Sequence, residues 1–321
     1  MSTAVVDVAA IFQTFREKPA QPERLVSRFL AAATGAALSA RVLVNDDSGE
    51  QPAAWEHVLR RGIDVYLRSD NIHEVRAYNG LAARANASLL VFLQGDECLP
   101  TAPSWLSEAA LLFARFPRLA VLGGHAGFID PGTEHTELGY AYGPYPRRPP
   151  IPFYVHGDVA AAATGISDDG KGTSAAVPFM HVPFVNIGPF FVRARAFAEL
   201  GGFTSAYSAA GEPGGHFDGE YCMRAWIDGR HTCGLYYGRV GNGVGGHKTR
   251  IGSQAKMRRR NQRKAALDLR ERWMQHNASI GAAISAANGQ LLQFARGPGG
   301  GGHKLALQKA RRESQASCGG K

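Results

Sequence analysis

An α/β fold built on a mainly parallel sheet is what this sequence predicts, and three observations predict it. Short apolar runs alternate with amphipathic stretches through the first 125 residues, which is the rhythm of βαβ units. Hydrophobic residues make up 45% of a 321-residue chain, enough to bury a sizeable core in one large α/β domain or two small ones. Acidic clusters stand at or near the ends of apolar runs, and an open parallel sheet collects its ligands at the carboxyl ends of its strands.

Taken in order, strands are expected at Val5 to Phe15, Val42 to Asn45, Val65 to Arg68, Leu89 to Leu93 and Ala120 to Gly123. Between them Pro22 to Ala33, Ala53 to Arg61, Glu74 to Ala85 and Trp105 to Phe116 carry helical spacing. From His125 to Pro183 the pattern dissolves into Gly, Pro and aromatic residues and reads as a long loop. Order returns over Pro183 to Phe197 and Leu200-Gly201-Gly202-Phe203, followed by a helix over Gly219 to Ile227. After Trp273 the chain turns to low complexity, with GPGGGG at Gly297 to Gly302 and SCGGK at its end, and reads as flexible.

The net charge of +9 is a property of the last quarter. Lys248 to Lys321 holds 16 Lys and Arg against 3 Asp and Glu, which leaves residues 1 to 247 with 20 against 24. The basic run Lys256 to Lys264 (KMRRRNQRK) therefore says nothing about the main domain, and a solvated helix face or tail is its ordinary meaning. It also contains no aromatic residue to stack on bases, which argues against an RNA-binding protein. Contact with an anionic membrane surface or an acidic acceptor stays open for this segment.

Cys98, Cys222, Cys233 and Cys318 show neither CxxC nor zinc-like spacing. No stretch of about 18 apolar residues is present to span a bilayer, and the N-terminus lacks a signal-peptide pattern. A soluble, cytoplasmic protein in a reduced compartment is the expectation.

Three acidic clusters carry the chemistry. Asn45-Asp46-Asp47-Ser48 follows a strand, where turn chemistry alone accounts for Asp and Ser. A carboxylate there can also accept hydrogen bonds from a base or ribose. Gln94-Gly95-Asp96-Glu97 follows the most apolar strand, LLVFL. Adjacent carboxylates repel unless a cation lies between them, and Mg2+ or Mn2+ prefers oxygen ligands; a solvated loop is the alternative. Phe217-Asp218-Gly219-Glu220 opens a helix, so Asp218 is either an N-cap or a general base.

In order and spacing, NDDS, RAYNGLAARANASLLVFLQGDE, NIGPFFVRARAFAELGGF and FDGEYCMRAWIDG resemble the family 2 glycosyltransferases of the GT-A fold. The resemblance runs from about Val5 to Arg230 and more weakly to Trp273. It implies a Rossmann-like, mixed, mainly parallel sheet flanked by helices. One domain would span 1–273, with a nucleotide-sugar half over about 1–124 and an acceptor half over about 125–247, and 274–321 would be a basic, Gly-rich flexible tail. It also implies transfer of a sugar, with inversion, from a nucleoside diphosphate sugar, uridine-linked by expectation, to a hydroxyl acceptor. Thr14, Phe15, Asp46, Asp47, Arg76 and Gln94 would line the nucleotide site. Asp96 aligns with the metal-binding Asp of DxD, Gln94 replaces its first Asp, and His247 would complete the shell around Mn2+ or Mg2+. Asp218 takes the place of the catalytic base and Glu220 that of the following acid, while Phe217 stands where the family has Glu. Gly201, Gly202 and Phe203 match the loop before the acceptor site.

Gly241 to Gly246 formally matches GxGxxG but lacks the strand before and helix after that a dinucleotide site needs. It reads as a Gly-rich loop, either structural or folding over the diphosphate with Lys248 or Arg250. Gln94 and Phe217 keep a second reading open, a nucleotide-sugar or carbohydrate-binding module without catalysis.

Overall fold

The computed structural model describes residues 5–15, 20–49, 62–95, 99–100, 104–125, 153–158, 174–185, 187, 189–240 and 252–295. The expected rhythm is present. The chain runs through β1 (Val6–Thr14), α1 (Ala20–Gly35), β2 (Ala40–Asp46), β3 (Val65–Arg68), α2 (His73–Ala82), β4 (Ala87–Gln94), α3 (Ser104–Arg115) and β5 (Leu119–His125). It continues with β6 (Phe153–Asp158), β7 (Ser174–His181), β8 (Phe190–Arg193), α4 (Ala194–Glu199), α5 (Phe217–Asp228), β9 (Thr232–Val240) and α6 (Gly252–Ala295). The helix expected over Ala53 to Arg61 lies outside the described residues.

The strands form a nine-stranded sheet in the order β3-β2-β1-β4-β8-β5-β9-β7-β6. β1, β2, β3 and β4 pair in parallel, and β5 pairs in parallel with β9. β8 runs antiparallel between β4 and β5, and β7 runs antiparallel to both β6 and β9. The sheet is thus mixed and mainly parallel, with helices on both faces.

Side-chain alternation explains why β1 reads as a continuous apolar run. Ala9 and Ile11 join one buried cluster with Val75, Tyr78 and Leu81 of α2 and Tyr221 of α5. Val8, Ala10 and Phe12 join the other, with Leu25 and Phe29 of α1 and Trp105 and Leu112 of α3. A strand covered on both faces has no polar side to show. Each fully buried Phe or Leu in these layers contributes about 1.5–3 kcal/mol of burial free energy.

Two expectations are corrected. The segment His125 to Pro183 contains the antiparallel pair β6 and β7, with Phe153 opposite Phe179 and Asp158 opposite Ser174. Pro178 inside β7, in register with Tyr154, and the Gly- and Pro-rich surroundings disguised these strands. The chain after Trp273 is also not uniformly a flexible tail, because α6 is a single 44-residue helix that continues to Ala295. Its buried stripe includes Ala265, Leu269, Trp273, Ile280, Ile284 and Leu291. Beyond Trp273 that stripe is spaced among Ala, Ser, Gly and Asn, so its period is weak in the sequence. Among the described residues no helix is long and apolar enough to cross a membrane.

Candidate active site

Strand direction brings the expected residues to one edge. Thr14 is in register with Asp46, and Asp46 with Arg68, while Gln13 pairs with both Asn45 and Gln94. The carboxyl ends of β1, β2, β3 and β4 therefore form a row, with Phe15 following directly after β1. β8 runs the other way, and Phe190 is opposite Phe92. Ile187, which precedes β8, accordingly lies beyond the carboxyl end of β4, on the same edge as Gln94. Asp218 reaches that point, since the Ile187 backbone N–H donates to Asp218 Oδ2 at 3.1 Å.

Asp218 does not cap α5, contrary to the capping alternative. The helix starts at Phe217, its N-cap is His216 in a left-handed conformation (φ 49°), and Asp218 sits in the first turn. Negative charge is favourable there, next to the unpaired N–H groups of the helix start. Its Oδ1 accepts the Gly219 backbone N–H at 2.9 Å, so each oxygen holds one backbone donor and keeps lone-pair capacity. Its surface is 8% exposed.

Glu220 differs. Its carboxylate takes Arg224 Nε at 2.8 and 2.9 Å and pairs with Arg224 Nη2 at 2.8 Å and Arg272 Nη1 at 3.3 Å. Arg224 in turn donates to the carbonyls of Leu200 and, at 2.6 Å, Gly202. Glu220 is thus the centre of a clamp that joins α5, α6 and the Gly201-Gly202-Phe203 loop.

That loop is shaped by backbone limits. Gly201 and Gly202 have φ of +78° and +69°, a region that favours glycine, and a Cβ on Gly202 would lie 2.8 Å from Asn79 Oδ1. Asn79 holds Phe203 by both backbone groups, donating to its carbonyl at 2.8 Å and accepting its N–H at 2.9 Å. The Phe203 ring points into the core, with ring centroids 4.9 Å from Phe92 and 5.0 Å from Phe217. Its contribution is to anchor the loop.

In the first acidic cluster the two aspartates have separate jobs. Asp47 Oδ1 accepts from Ser69 Oγ at 2.7 Å and Ile72 N at 2.8 Å, and Oδ2 from Gln13 Nε2 at 2.8 Å and His73 N at 2.9 Å. Both oxygens are filled by the chain itself. These bonds hold a turn in which Asn71 and His73 adopt left-handed φ of 57° and 61°, a conformation that other residues rarely keep without support. Asp46 accepts one donor per oxygen, Ser48 N at 3.1 Å and Tyr66 Oη at 2.9 Å. Burial, then the Asp46 carboxylate, raises the Tyr66 phenol well above its ordinary range.

Among the described residues, three polar atoms near this edge are buried without a partner, Thr14 Oγ1, His73 Nε2 and Arg76 Nη1. Arg76 Nη2 donates to the Ser208 carbonyl at 2.8 Å. Arg76 and Asn79, one turn apart on α2, therefore both hold the 203–208 segment. Sequence reasoning missed Asn79 and Arg272; their signal was polar side chains on helices that otherwise face the core. Asp96 and His247, the expected metal ligands, lie outside the described residues, and among the described residues no cluster of three or more His, Cys, Asp or Glu is placed to hold a metal.

No protein-family model and no curated protein sequence matches this chain. Solved structures resemble it in outline. Residues 1–349 of TarS from S. aureus are 13% identical at a TM-score of 0.42, over 71% of this chain and 57% of that one. The mannosyltransferase PcManGT from Pyrobaculum calidifontis, in complex with GDP-Man and Mn2+, is 13% identical at a TM-score of 0.48, over 98% and 86%. GalNAc-T7 with UDP, GalNAc and Mn2+ is 14% identical at a TM-score of 0.49, over 72% and 42%. The chain thus spans less than two thirds of the length of the TarS fragment and of GalNAc-T7. At these identities and scores the likeness bears on neither residue roles nor chemistry.

Proposed function

We propose that this chain is a GT-A-type glycosyltransferase that moves a sugar from a nucleoside diphosphate sugar to a hydroxyl acceptor, with Asp218 as general base. One observation carries the reading. Asp218 and Glu220 are both nearly buried at the start of α5, but Glu220 is committed to Arg224 and Arg272 while each Asp218 oxygen holds a single backbone donor. A base needs a free lone pair at a fixed position, and Asp218 has it on the edge where Gln94 ends β4.

Asp218 then accepts the acceptor's hydroxyl proton as that oxygen bonds to the anomeric carbon and the bond to the nucleoside diphosphate breaks, a single displacement that inverts the carbon. Thr14 Oγ1, Asp46 and the free Nη1 of Arg76 supply hydrogen-bonding groups for the nucleotide. The DxD resemblance assigns Mn2+ or Mg2+ to Asp96, with His247 as a further ligand; bound there, the cation would offset charge on the leaving diphosphate. In this reading the nucleotide half covers about 1–124 and the acceptor half about 125–247.

The test is Asp218→Asn with a panel of nucleotide sugars in the presence of Mn2+. Turnover is expected to fall by about 100-fold or more, with donor affinity retained. Unchanged turnover would remove Asp218 from its role, and failure of the unsubstituted protein to turn over any donor would favour a binding module.

A further inference from the structure

The basic run that the site leaves unused lies on α6, and its cations divide into two sets. Arg260 pairs with Glu212, Lys264 Nζ donates to the Ala206 carbonyl at 2.9 Å, and Arg272 pairs with Glu220 and with Asp268 at 2.9 Å. These fasten α6 to the 206–212 segment and to α5. Lys256, Arg259, Arg263 and Arg270 are exposed and make no described contact. At helical spacing, 256, 259, 263, 267, 270 and 274 form one stripe, opposite the buried stripe of Asn261, Ala265, Leu269 and Trp273. Leu267 and Met274, 59% and 66% exposed, complete it. They are among the few large hydrophobic side chains left in solvent on the described surface, and they share a face with the free cations.

We propose that this stripe of α6 docks flat on an anionic lipid surface. Lys and Arg attract acidic headgroups, and apolar side chains on the same helical face enter the boundary of the acyl region. The charge complements such a surface, while Leu267 and Met274 give it an apolar component that phosphate binding alone does not use. The stripe holds no aromatic residue for base stacking, which disfavours RNA. The inference is independent of the sugar-transfer reading, because none of these residues belongs to that site.

The experiment is sedimentation of the full-length chain with vesicles of phosphatidylcholine alone and with phosphatidylglycerol added. Binding is expected only to the anionic vesicles, falling steeply with added salt. The variant Arg259→Gln, Arg263→Gln, Arg270→Gln should lose about 100-fold in partitioning, since each cation near the surface contributes roughly fivefold. Leu267→Gln with Met274→Gln should weaken binding while keeping its salt dependence. All five positions are exposed, and an unchanged circular dichroism spectrum would certify the fold. No binding to anionic vesicles, equal binding by the triple variant, or tighter binding to single-stranded RNA than to vesicles would each overturn the proposal.

Discussion

Asp47 shows how one carboxylate can organise the backbone at a strand end. Its four donors come from β1, from Ser69 after β3 and from the two residues that open α2. Replacing it by Ala leaves buried N–H groups unpaired and a left-handed turn without support, and should cost about 3 kcal/mol or more in chemical denaturation. Asp46→Asn should be milder in stability and, under the proposed function, show its effect in nucleotide affinity by calorimetry. The sequence placed both aspartates at a strand end but could not tell them apart, because the donors that fill Asp47 arrive from residues 13 and 69–73. His181 is a further buried polar residue without a sequence signature. Burial holds its imidazole down to about 4, from 6.5, against a hydrogen bond with the Cys233 carbonyl that acts the other way. The folded state therefore resists a proton that the unfolded chain accepts below about pH 6.5. Stability should fall as pH drops from there toward 4, by roughly 3 kcal/mol in full, and His181→Gln should flatten that part of the stability curve.

At the scale of elements, the clamp around Glu220 joins pieces far apart in sequence. α5 supplies Glu220 and Arg224, α6 supplies Arg272, and the loop after α4 supplies the carbonyls of Leu200 and Gly202. Glu220→Ala strands a partly buried Arg224 and should cost about 3 kcal/mol. Under the proposed function it should also lower kcat more than donor affinity, since the loop and Asp218 lose a shared support. The strands of the first half were legible because both their faces are apolar, and their boundaries differ by only a few residues from the expected ones. α5 was legible as a helix, yet its start was placed too late. His216 enters it through a left-handed backbone, which nothing in a His residue announces. The Gly201-Gly202 pair was legible as a turn, whereas the close approach of Asn79 that makes Gly202 necessary is a tertiary contact.

For the whole molecule, the largest departure from the sequence reading is α6. If residues 274–321 were a tail, deleting them would be harmless. The structure predicts otherwise: Ile280, Ile284 and Leu291 leave with the deletion, and Asn288 no longer holds the backbone of His181 by its N–H and carbonyl at 2.8 and 2.9 Å. A chain ending at Trp273 should lose on the order of 5 kcal/mol, visible as a lower midpoint in thermal unfolding. The helix escaped the sequence reading because its inward residues belong to two separate clusters, Trp273, Ile280 and Ile284 in one and Leu291 in the other. A stripe that serves two cores in succession shows no single strong period.

The same helix runs alongside β6, the strand that ends the sheet on that side. The opposite end closes on β3, only four residues long, which offers little for another chain to extend. β6 and β7 form a longer ribbon, and its outer row of backbone groups is the natural place for a second molecule to add a strand. α6 packs against both of these strands. Shortening it should therefore do more than lower the melting point: it should uncover a pairing edge, and the truncated protein should gather into β-rich assemblies at concentrations where the intact chain stays monodisperse.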